Sequence, residues 1–491
     1  MTEGSRRVPL RSLFVLAVFV IFSFLAGRIY LVMGDDGSYI ALARSLHAGQ
    51  YRAINVPDHP VQTQYPPLFP LLLYPVAGLP EGSIGVARLW VACWALLAVF
   101  PLAAVARARD PDTGYFSLLP FLVSPLFAEY STTILTESLY VTLAYAVLAR
   151  AMDATSTSTG RFDPLIPLGL VFAWLTRSSG VALVAAVVLA FFLRRQYRAG
   201  ARTVLLVALG MSPWWFWQLS HQSDYIRDHI MAANIYDPSA GTYSLFDLIT
   251  RRVPYNLTRY AGRVLADVIF APWFRPISPR TTLFALKVFA SVLAGAAIAL
   301  GLFRRCRSRS WSVEELYVLF SAGLFLIHPV FADRYLYAIL PSLIGYFLLS
   351  WSSPRHRINA SIVLAALSLA GCVLALAEPI PRDDAAYMEA VEWIDEHARE
   401  DDLVLARKAT AVWYYTGRVS TGYPAEPDAA IWSHPRLRYV IRDDYVIGIH
   451  AASRYLDPLL VDTSTFSLAF TSAILPEVRI YEIHRASALN P

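Results

Sequence analysis

The sequence LRSLFVLAVFVIFSFLAGRIYLVMGDDGSYI, residues 10–40, joins a long apolar run to two adjacent aspartates, Asp35 and Asp36. The run is long enough to cross the hydrocarbon core of a bilayer, which takes about 20 residues of helix. It follows several arginines, so a cleaved signal peptide is one alternative, but no small-residue cleavage pattern follows it and further apolar stretches come later. We therefore expect a retained membrane anchor with two acids just beyond it.

The composition of the whole chain is typical of an integral membrane protein. Of its 491 residues, 56% are hydrophobic and only 16% are charged, which excludes an ordinary soluble domain. The net charge of +5 is carried mainly by short basic clusters between apolar runs, a distribution that orients membrane proteins, so no nucleic-acid partner is expected. The three cysteines lack the spacing of a zinc site or a disulfide framework.

Apolar stretches recur through residues 1–378 and predict an all-α polytopic bundle with about 11 transmembrane helices. Arginines crowd the connections on one side of the predicted membrane, while the short connections on the other side carry only Arg44, Arg52, Arg177 and Arg334. This bias predicts a cytoplasmic N-terminus and an outer C-terminus. The stretches are 10–33, 83–106, 113–128, 134–152, 164–176, 179–193, 203–220, 282–303, 313–331, 335–351 and 358–378.

Two long outer loops interrupt this pattern. Loop 34–82 contains HPVQTQYPPLFPLLLYP, whose prolines break any continuous helix, and we expect it to fold against the bundle. Loop 221–281 has apolar residues at helical spacing with arginines between them, which fits a helix at the membrane interface or one packed on the bundle. From residue 379 the composition changes, and residues 379–491 predict a small extracytoplasmic α/β domain.

The adjacent acids are the first candidates for chemistry. A carboxylate close to a bilayer is costly unless it faces water, a partner or a substrate, so Asp35 and Asp36 are candidate site residues. The alternative is that one of them is the N-cap of a helix beginning in GSYIALARSL. The two interpretations are compatible, because a capped helix holds the second carboxylate in a fixed direction.

Three more candidates lie near predicted outer ends of spans. Glu137 in STTILTESLYVTL is one, and its alternative role is a buried hydrogen bond to Thr133 on the same helix face. Arg334 in HPVFADRYLYAILP can take two oxygens of a phosphate, or else pair with Asp333 or extend to the interface. Arg177 in WLTRSSG repeats the pattern with a weaker signal.

His59 and Tyr65 lie in the first outer loop and are candidate substrate-loop residues. No HxxxH or HExxH spacing occurs, so a dedicated metal site is not predicted. Glycine-rich phosphate loops and a G-x-S-x-G nucleophile turn are also absent from the sequence, which argues against a nucleotide-fed cytoplasmic active site.

The acidic pair, followed by ALARSL and then by YPPLFPLLLYP, resembles the start of membrane glycosyltransferases of the C superfold. The similarity is to the bacterial relatives of protein O-mannosyltransferases and of the aminoarabinose transferase that modifies lipid A. It continues in the same order through TILTESLYVTL, LTRSSG, DRYLYAILPSL and AVEWIDEHAREDDLVLARKATAVWYYTGR.

This resemblance implies transfer of a hexosyl or pentosyl group from a polyprenyl-phosphate donor to an acceptor outside the bacterial cytoplasmic membrane. The acceptor is a protein, a lipid or a polysaccharide. Asp35 or Asp36 matches the family's acidic position that activates or holds the acceptor, and Glu137 matches a second acidic position. Arg334 and Arg177 then face the donor phosphate. Many relatives have Asp-Glu where this chain has Asp-Asp, so the division of roles within the pair stays open.

Physical chemistry supports the same reaction. Cationic side chains at headgroup level can neutralise charge that develops on a leaving phosphate, and a carboxylate on the other side of the anomeric carbon can act as a general base worth about 10²–10⁴ in rate. In-line attack inverts the anomeric centre. Two crowded carboxylates raise the pKa of one of them, and the other can orient the acceptor or a divalent cation. No other cofactor is expected.

Two other classes of protein fit parts of the pattern. A transporter or flippase of lipid-linked sugars also places charged residues in a membrane bundle, but the candidates here cluster at one face and no two halves look alike. A non-catalytic envelope scaffold would use the acids only to begin a helix. Substitution of Asp36 by Asn separates an enzyme from a scaffold, because only the enzyme loses turnover with its fold intact.

Overall fold

The structure is a computed structural model that describes most of the chain. Helices make up most of the described part up to residue 377, and a small sheet follows. The described residues are 9–78, 84–156, 162–223, 225–235, 240–270, 283–308, 311–330, 332–377, 380, 382–424, 430–443 and 456–484.

The helices lie where the sequence is apolar or amphipathic. Up to residue 377 they are α1 (Leu10–Gly27), α2 (Asp35–His47), α3 (Leu68–Ala77), α4 (Ile84–Arg109), α5 (Leu119–Leu122), α6 (Pro125–Thr132), α7 (Glu137–Ser156), α8 (Leu165–Thr176), α9 (Gly180–Leu193), α10 (Tyr197–Ser220), α11 (Leu245–Asp247), α12 (Val253–Arg259), α13 (Leu265–Ile269), α14 (Phe284–Ser308), α15 (Val313–Ile327), α16 (Asp333–Tyr337), α17 (Leu340–Leu349) and α18 (Pro354–Ala377).

Within the described ranges, four helices are long and apolar enough to cross a membrane: α1, α4, α14 and α18. The pair α6 and α7 adds a fifth if it is counted as one broken span, and α3, α8, α9 and α17 are shorter apolar helices. Large apolar side chains such as Phe19, Leu205 and Val373 are exposed on the outside of the bundle, where lipid would cover them. The chain is a multi-pass membrane protein, and the predicted number of crossings stays a prediction.

Two predicted spans are not single helices. Stretch 113–128 consists of a 3₁₀ turn, the short helix α5 and the start of α6, and stretch 335–351 is divided between α16 and α17. In both places a proline occupies the first turn of the second helix, where it is tolerated but where it prevents a continuous hydrogen-bond ladder from the preceding residues. The hydropathy of the sequence identified both stretches as apolar and helical, but it did not predict the breaks within them.

The first outer loop folds against the bundle through hydrogen bonds to α10. The Trp217 indole N–H donates to the carbonyl of Gln62 at 3.0 Å, and the Gln218 amide donates to the carbonyl of Thr63 at 2.9 Å. Within the loop, the Tyr51 hydroxyl donates to the Tyr65 carbonyl at 2.8 Å. These bonds satisfy backbone groups that have no partner in a helix or sheet.

The second outer loop contains α11, α12 and α13, joined by π-helical turns. One face packs on the bundle, with Tyr260 and Val264 buried, and the opposite face leaves Leu245 and Ile249 exposed. Arg252 is buried rather than exposed, and its guanidinium donates to the carbonyl of Ile230 at 2.5 Å. Of the two alternatives for this segment, packing on the bundle therefore describes the face that carries Tyr260 and Val264.

The C-terminal part forms a small α/β unit, as the sequence predicted. Its sheet has the order β2-β1-β3-β5-β4, in which β1 pairs in parallel with β2 and β3, and β5 pairs antiparallel with β3 and β4. All four residues of β1 are buried, as expected for a strand covered on both faces. The elements are α19 (Arg382–His397), β1 (Leu403–Ala406), α20 (Ala409–Thr416), β2 (Ser420–Thr421), β3 (Leu437–Arg442), α21 (Asp457–Leu460), β4 (Phe466–Thr471) and β5 (Arg479–Ile483).

Candidate active site

Four charged side chains from distant parts of the sequence meet near the N-terminal end of α2. Asp35 is the first residue of α2, Glu137 is the first residue of α7, Arg177 lies between α8 and α9, and Arg334 lies in α16. The structure thus brings together four of the seven residues singled out from the sequence, and Tyr65 joins them as a fifth through Asp35. Their formal charges balance, with two carboxylates and two guanidinium groups.

Arg334 and Glu137 link the four groups into one network. Arg334 Nη2 lies 2.8 Å from Asp35 Oδ2, and its Nε lies 3.6 Å from Glu137 Oε1. Arg177 forms a second ion pair with the same Glu137 oxygen and donates to the Thr136 hydroxyl at 3.0 Å. Glu137 is 2% exposed, whereas Asp35 is 31% exposed, so Glu137 is enclosed by the arginines and Asp35 remains accessible.

A break before α7 places Glu137. Helices α6 and α7 are bent by 107° relative to each other at Thr133–Thr136. The hydroxyls of Thr132 and Thr133 donate to the carbonyls of Ala128 and Glu129, a local alternative that favours ending the helix. Thr133 therefore does not share a helix face with Glu137. The hydrogen bond that the sequence suggested between these two residues is absent from their described contacts, and Glu137 forms ion pairs with Arg177 and Arg334 instead.

Arg177 is held by a tight connection between α8 and α9. Its backbone is extended, and its carbonyl accepts from the amide of Gly180 at 2.9 Å. A Cβ atom at Gly180 would lie 2.6 Å from the Cα of Trp174, so only glycine fits this approach of two backbones. The LTRSSG motif is thus a short turn that presents the arginine between two helices.

Asp35 lies beside a cluster of aromatic side chains. The Tyr65 hydroxyl donates to Asp35 Oδ1 at 3.2 Å, which places this predicted substrate-loop residue at the site. Tyr65 is packed edge-to-face on Tyr39 with ring centroids 5.1 Å apart, and Tyr39 makes the same kind of contact with Phe69 at 4.9 Å. The aromatic cluster fixes the loop that carries Tyr65 over Asp35.

Asp36 is buried and is turned away from this network. Its carboxylate accepts hydrogen bonds from the amides of Gly34 at 2.7 Å and Gly37 at 3.0 Å, and from the Tyr30 hydroxyl at 2.8 Å. The helix begins with Gly34 as the N-cap residue, so neither aspartate is the side-chain cap considered from the sequence. Burial raises the pKa of the Asp36 carboxyl, and the hydrogen bonds oppose that effect only partly. The sequence predicted that crowding by the neighbouring acid raises the pKa of one aspartate. In the structure, the cause of the raised pKa of Asp36 is burial.

Two residues that the sequence did not single out connect Asp36 to the break before α7. The Tyr30 hydroxyl accepts from the amide of Ile134 at 3.1 Å while it donates to Asp36. The Arg88 guanidinium lies 4.8 Å from the centre of the Tyr30 ring, and its Nε donates to the carbonyl of Thr132 at 3.0 Å. The sequence offered one signal for this contact: Arg88 lies one turn after the start of the apolar helix α4, where an arginine needs a partner.

A cavity of about 650 Å³ lies beside the charged network. Arg177 lines it, and so do the immediate neighbours of two other site residues, Pro66 next to Tyr65 and Tyr335 next to Arg334. Its volume lies within the range of small-molecule sites. The wall is mainly apolar and aromatic, with Trp174, Trp214, Trp215, Leu219, Tyr225, Leu324 and Phe325 among its residues.

His59 lies apart from the network. Its side chain is exposed, and its backbone carbonyl accepts from Arg52 at 3.0 Å. In the part of the chain that the structure describes, no group of three or more His, Cys, Asp or Glu side chains is placed to hold a metal ion. The divalent cation considered for the acidic pair stays an untested prediction.

Sequence comparison and structural comparison give different results. No protein-family model matches the sequence, and no curated protein matches it either. Among solved structures, the chain is similar to ArnT from Cupriavidus metallidurans bound to undecaprenyl phosphate, with a TM-score of 0.59 and 15% identity over 98% of this chain and 99% of that one. The apo structure of that ArnT gives a TM-score of 0.59 at 15% identity, over 96% of this chain and 97% of that one.

A second similarity covers less of the other protein. The archaeal oligosaccharyltransferase AglB from Archaeoglobus fulgidus, in complex with an inhibitory peptide and a dolichol-phosphate, has a TM-score of 0.51 and 13% identity. That alignment covers 88% of this chain and 69% of AglB. At such identities the similarity is one of fold, and it extends over nearly the whole chain. We therefore conclude that this protein has the fold that is seen in ArnT and in AglB.

Proposed function

We propose that this protein is an inverting glycosyltransferase that moves a sugar from a polyprenyl-phosphate donor to an acceptor hydroxyl group outside the cytoplasmic membrane. The observation that carries the proposal is the position of Arg334, whose guanidinium contacts Asp35 on one side and Glu137 on the other, beside a large aromatic cavity. A base, two cations and an apolar site are the parts that this reaction needs.

The cavity supports a lipid-linked donor. Its aromatic wall offers apolar surface for the first units of a polyprenyl chain, and Arg177 at its edge offers a cation for the phosphate. Ser178 and Ser179 also line the cavity, at the N-terminal end of α9, where the helix dipole is positive. Undecaprenyl phosphate and dolichol-phosphate are bound in the structures of ArnT and AglB, which have this fold.

Asp35 is the better candidate for the general base, because its side chain is accessible and lies beside the arginines, while that of Asp36 is buried and turned away from them. In the proposed step, the acceptor oxygen attacks the anomeric carbon, the bond from that carbon to the phosphate oxygen breaks, and Asp35 takes the hydroxyl proton. The leaving group is the polyprenyl phosphate, which carries the bond's electron pair.

The ion pair between Arg334 and Asp35 couples proton transfer to Asp35 with stabilisation of the leaving phosphate by Arg334. Arg334 is paired with Asp35 in the resting site, and protonation of Asp35 removes that carboxylate's charge. The guanidinium is then available to a phosphate oxygen at the moment when negative charge develops there. Glu137 keeps Arg177 and Arg334 in place throughout, since it contacts both and is itself buried.

The test is to compare polyprenyl-linked sugars and envelope glycans by mass spectrometry in cells that have or lack the protein. We expect one lipid-linked sugar to accumulate in its absence, and one envelope sugar modification to disappear. Asp35→Asn should reproduce this pattern, because loss of a general base lowers turnover by about 10²–10⁴.

The matched control is Asp58→Asn, an exposed acid in the same outer loop, which should restore the wild-type pattern. If Asp35→Asn also restores the wild-type pattern at equal protein level, Asp35 is not the base and the proposed reaction is overturned. Identification of the accumulated lipid would at the same time name the sugar.

A further inference from the structure

Helix α20 of the C-terminal unit contacts the backbone immediately before Asp35. The amide of Val32 donates to the Tyr415 hydroxyl at 2.9 Å, and the Thr410 hydroxyl donates to the carbonyl of Gly34 at 2.9 Å. Burial raises the pKa of Tyr415 to about 12, so its hydroxyl group stays neutral. Two side chains of one helix thus hold the two ends of the three-residue stretch that leads into α2.

Close packing accompanies these bonds. A Cβ atom at Gly37 would lie 2.7 Å from the Cβ of Thr410, so the first turn of α2 and the start of α20 are in direct contact. Trp413 and Tyr414 belong to the same apolar cluster as Val32. Shifting α20 would therefore shift the turn that carries both aspartates.

Arg44 adds a contact further along α2. Its guanidinium lies 5.4 Å from the ring centre of Trp413 and 5.5 Å from that of Tyr414. This geometry is that of a cation–π interaction with two rings. The two helices are consequently joined along about two turns of α2, which makes their relative position well defined.

The other side of the same turn is fixed from within the bundle. Asp36 accepts from the amides of Gly34 and Gly37, and Tyr30 links Asp36 to the backbone of Ile134. The backbone amide of Gly34 is therefore held by its hydrogen bond to Asp36, while the carbonyl of Gly34 is held by its hydrogen bond from Thr410. The direction of the Asp35 side chain depends on both sets of bonds.

We propose that Thr410 and Tyr415 are positioning residues for the transfer reaction, which they assist by holding the turn that directs Asp35 toward Arg334. The C-terminal unit is then a part of the active site and not an attached binding module. This inference rests on the proposed function, because it assumes that Asp35 acts as the base. It adds that the base is placed by a part of the chain outside the bundle.

The alternative is that α20 merely docks the C-terminal unit on the bundle. The two cases differ in what a mild substitution does. If the hydroxyl groups position Asp35, their removal loosens residues 32–35 and lowers kcat, while binding of the lipid donor, which the cavity provides, is unchanged. If they only dock the unit, their removal has the same effect as any similar change in α20.

The experiment uses the full chain in lipid nanodiscs and compares Thr410→Val, Tyr415→Phe and the double variant with the wild type. Hydrogen–deuterium exchange by mass spectrometry reports on residues 30–40. We expect the Val32 amide to exchange about five to ten times faster in Tyr415→Phe, since one hydrogen bond is lost. Binding of undecaprenyl phosphate should not change.

Two further variants sharpen the comparison. Thr410→Ser keeps the donor hydroxyl and should behave like the wild type in every assay. Thr416→Val is the matched control, because the Thr416 hydroxyl donates to the Val412 carbonyl at 2.7 Å and accepts from the Arg418 amide at 3.1 Å, two contacts that stay within the C-terminal unit. In cells, Thr410→Val and Tyr415→Phe should each cause donor accumulation corresponding to a fall in kcat of about 10-fold to 100-fold.

Unchanged exchange at residues 30–40 in Thr410→Val and Tyr415→Phe would overturn the inference, and so would equal effects of Thr410→Val and Thr416→Val. Failure of the proposed function has a different signature, namely that Asp35→Asn leaves the glycans unaltered. The exchange measurement needs no substrate, so it separates these two failures.

Discussion

Asp35 and Asp36 are neighbours in the chain, yet they have opposite surroundings. Asp35 is accessible and paired with Arg334, whereas Asp36 is 5% exposed and receives hydrogen bonds from backbone amides and from Tyr30. The side chains of successive residues in a first helical turn point in different directions, so one acid faces Arg334 and Tyr65 and the other faces the protein interior. The sequence predicted that the pair matters and left the roles open, because direction depends on which residue begins the helix.

The buried acid should make stability depend on pH. Burial raises the pKa of Asp36 above its ordinary value of 3.8, so the folded state binds this proton more tightly than the unfolded state does. The contribution of Asp36 to the stability of the wild type consequently falls as pH rises from 3.8 through the raised pKa, and it stays constant above that pKa. Asp36→Asn stays neutral and can keep the bonds to Gly34 and Gly37.

We therefore expect the melting temperature of Asp36→Asn, relative to the wild type, to increase with pH across that window. Thermal unfolding of detergent-solubilised protein between about pH 4 and pH 8 would measure it. Asp58→Asn, which changes an exposed acid, should follow the wild type. Parallel curves for Asp36→Asn and the wild type would contradict the expectation.

At the scale of elements, the site is built from helix ends and breaks. Glu137 follows the 107° bend between α6 and α7, Arg177 occupies the connection between α8 and α9, and Arg334 lies in a short helix before α17. Where a helix is interrupted, its end can lie inside the bundle. A charged side chain at that end can then point into the protein and not into lipid. Hydropathy located the apolar helices because it averages over many residues, and it missed the breaks because single threonines and prolines decide them.

The connection at Arg177 gives a prediction for one element. Gly180→Ala would place a methyl group 2.7 Å from the backbone nitrogen of Trp174, and neither backbone can move without disturbing α8 or α9. We expect a loss of about 1–3 kcal/mol in the free energy of unfolding, together with weaker transfer, because Arg177 is displaced. Denaturation monitored by tryptophan fluorescence would measure the stability.

Gly323→Ala is the control for that change. Gly323 lies within α15, and a Cβ atom there meets nothing within 4 Å, so alanine should stabilise the helix by about 0.5–1 kcal/mol. A neutral effect of Gly180→Ala, or equal effects of the two substitutions, would show that the connection is not tightly packed.

At the scale of the whole molecule, the helical bundle and the small sheet were predictable from hydropathy and from the change of composition near residue 379, whereas the orientation that the charge bias predicts stays a prediction. The described structure has the helical bundle and the small sheet that these patterns indicate. The contact between α2 and α20 was not predictable. It joins Gly34 to Thr410 across 376 positions, and a single sequence has no local signal for a contact at that distance.

The orientation of the chain in the membrane is a further prediction at this scale. In a variant that has Ser at its three native cysteine positions, Ser464→Cys in the C-terminal unit should react with a membrane-impermeant maleimide added to right-side-out spheroplasts. Ser156→Cys, at the other end of α7 from Glu137, should react only after the membrane is opened. Both positions are exposed, so access to the reagent depends on the side of the membrane.

The reverse labelling pattern would place Asp35 and Arg334 in the cytoplasm and would exclude an outer acceptor. Equal labelling of both positions would mean that the spheroplasts leak, so a native cytoplasmic protein should be probed in the same sample. With intact spheroplasts, the experiment decides the side of the membrane on which the candidate site lies.

The contact of Thr410 with Gly34 also bears on how the protein is made. A ribosome synthesises residues 32–37 long before it reaches α20, 376 residues later by the spacing of that hydrogen bond. If α20 is needed to direct Asp35, a nascent chain that has inserted its helices is still inactive. Activity would begin only after α20 has been made, so truncation products that end before residue 409 would lack the contact that directs Asp35 and would be inactive.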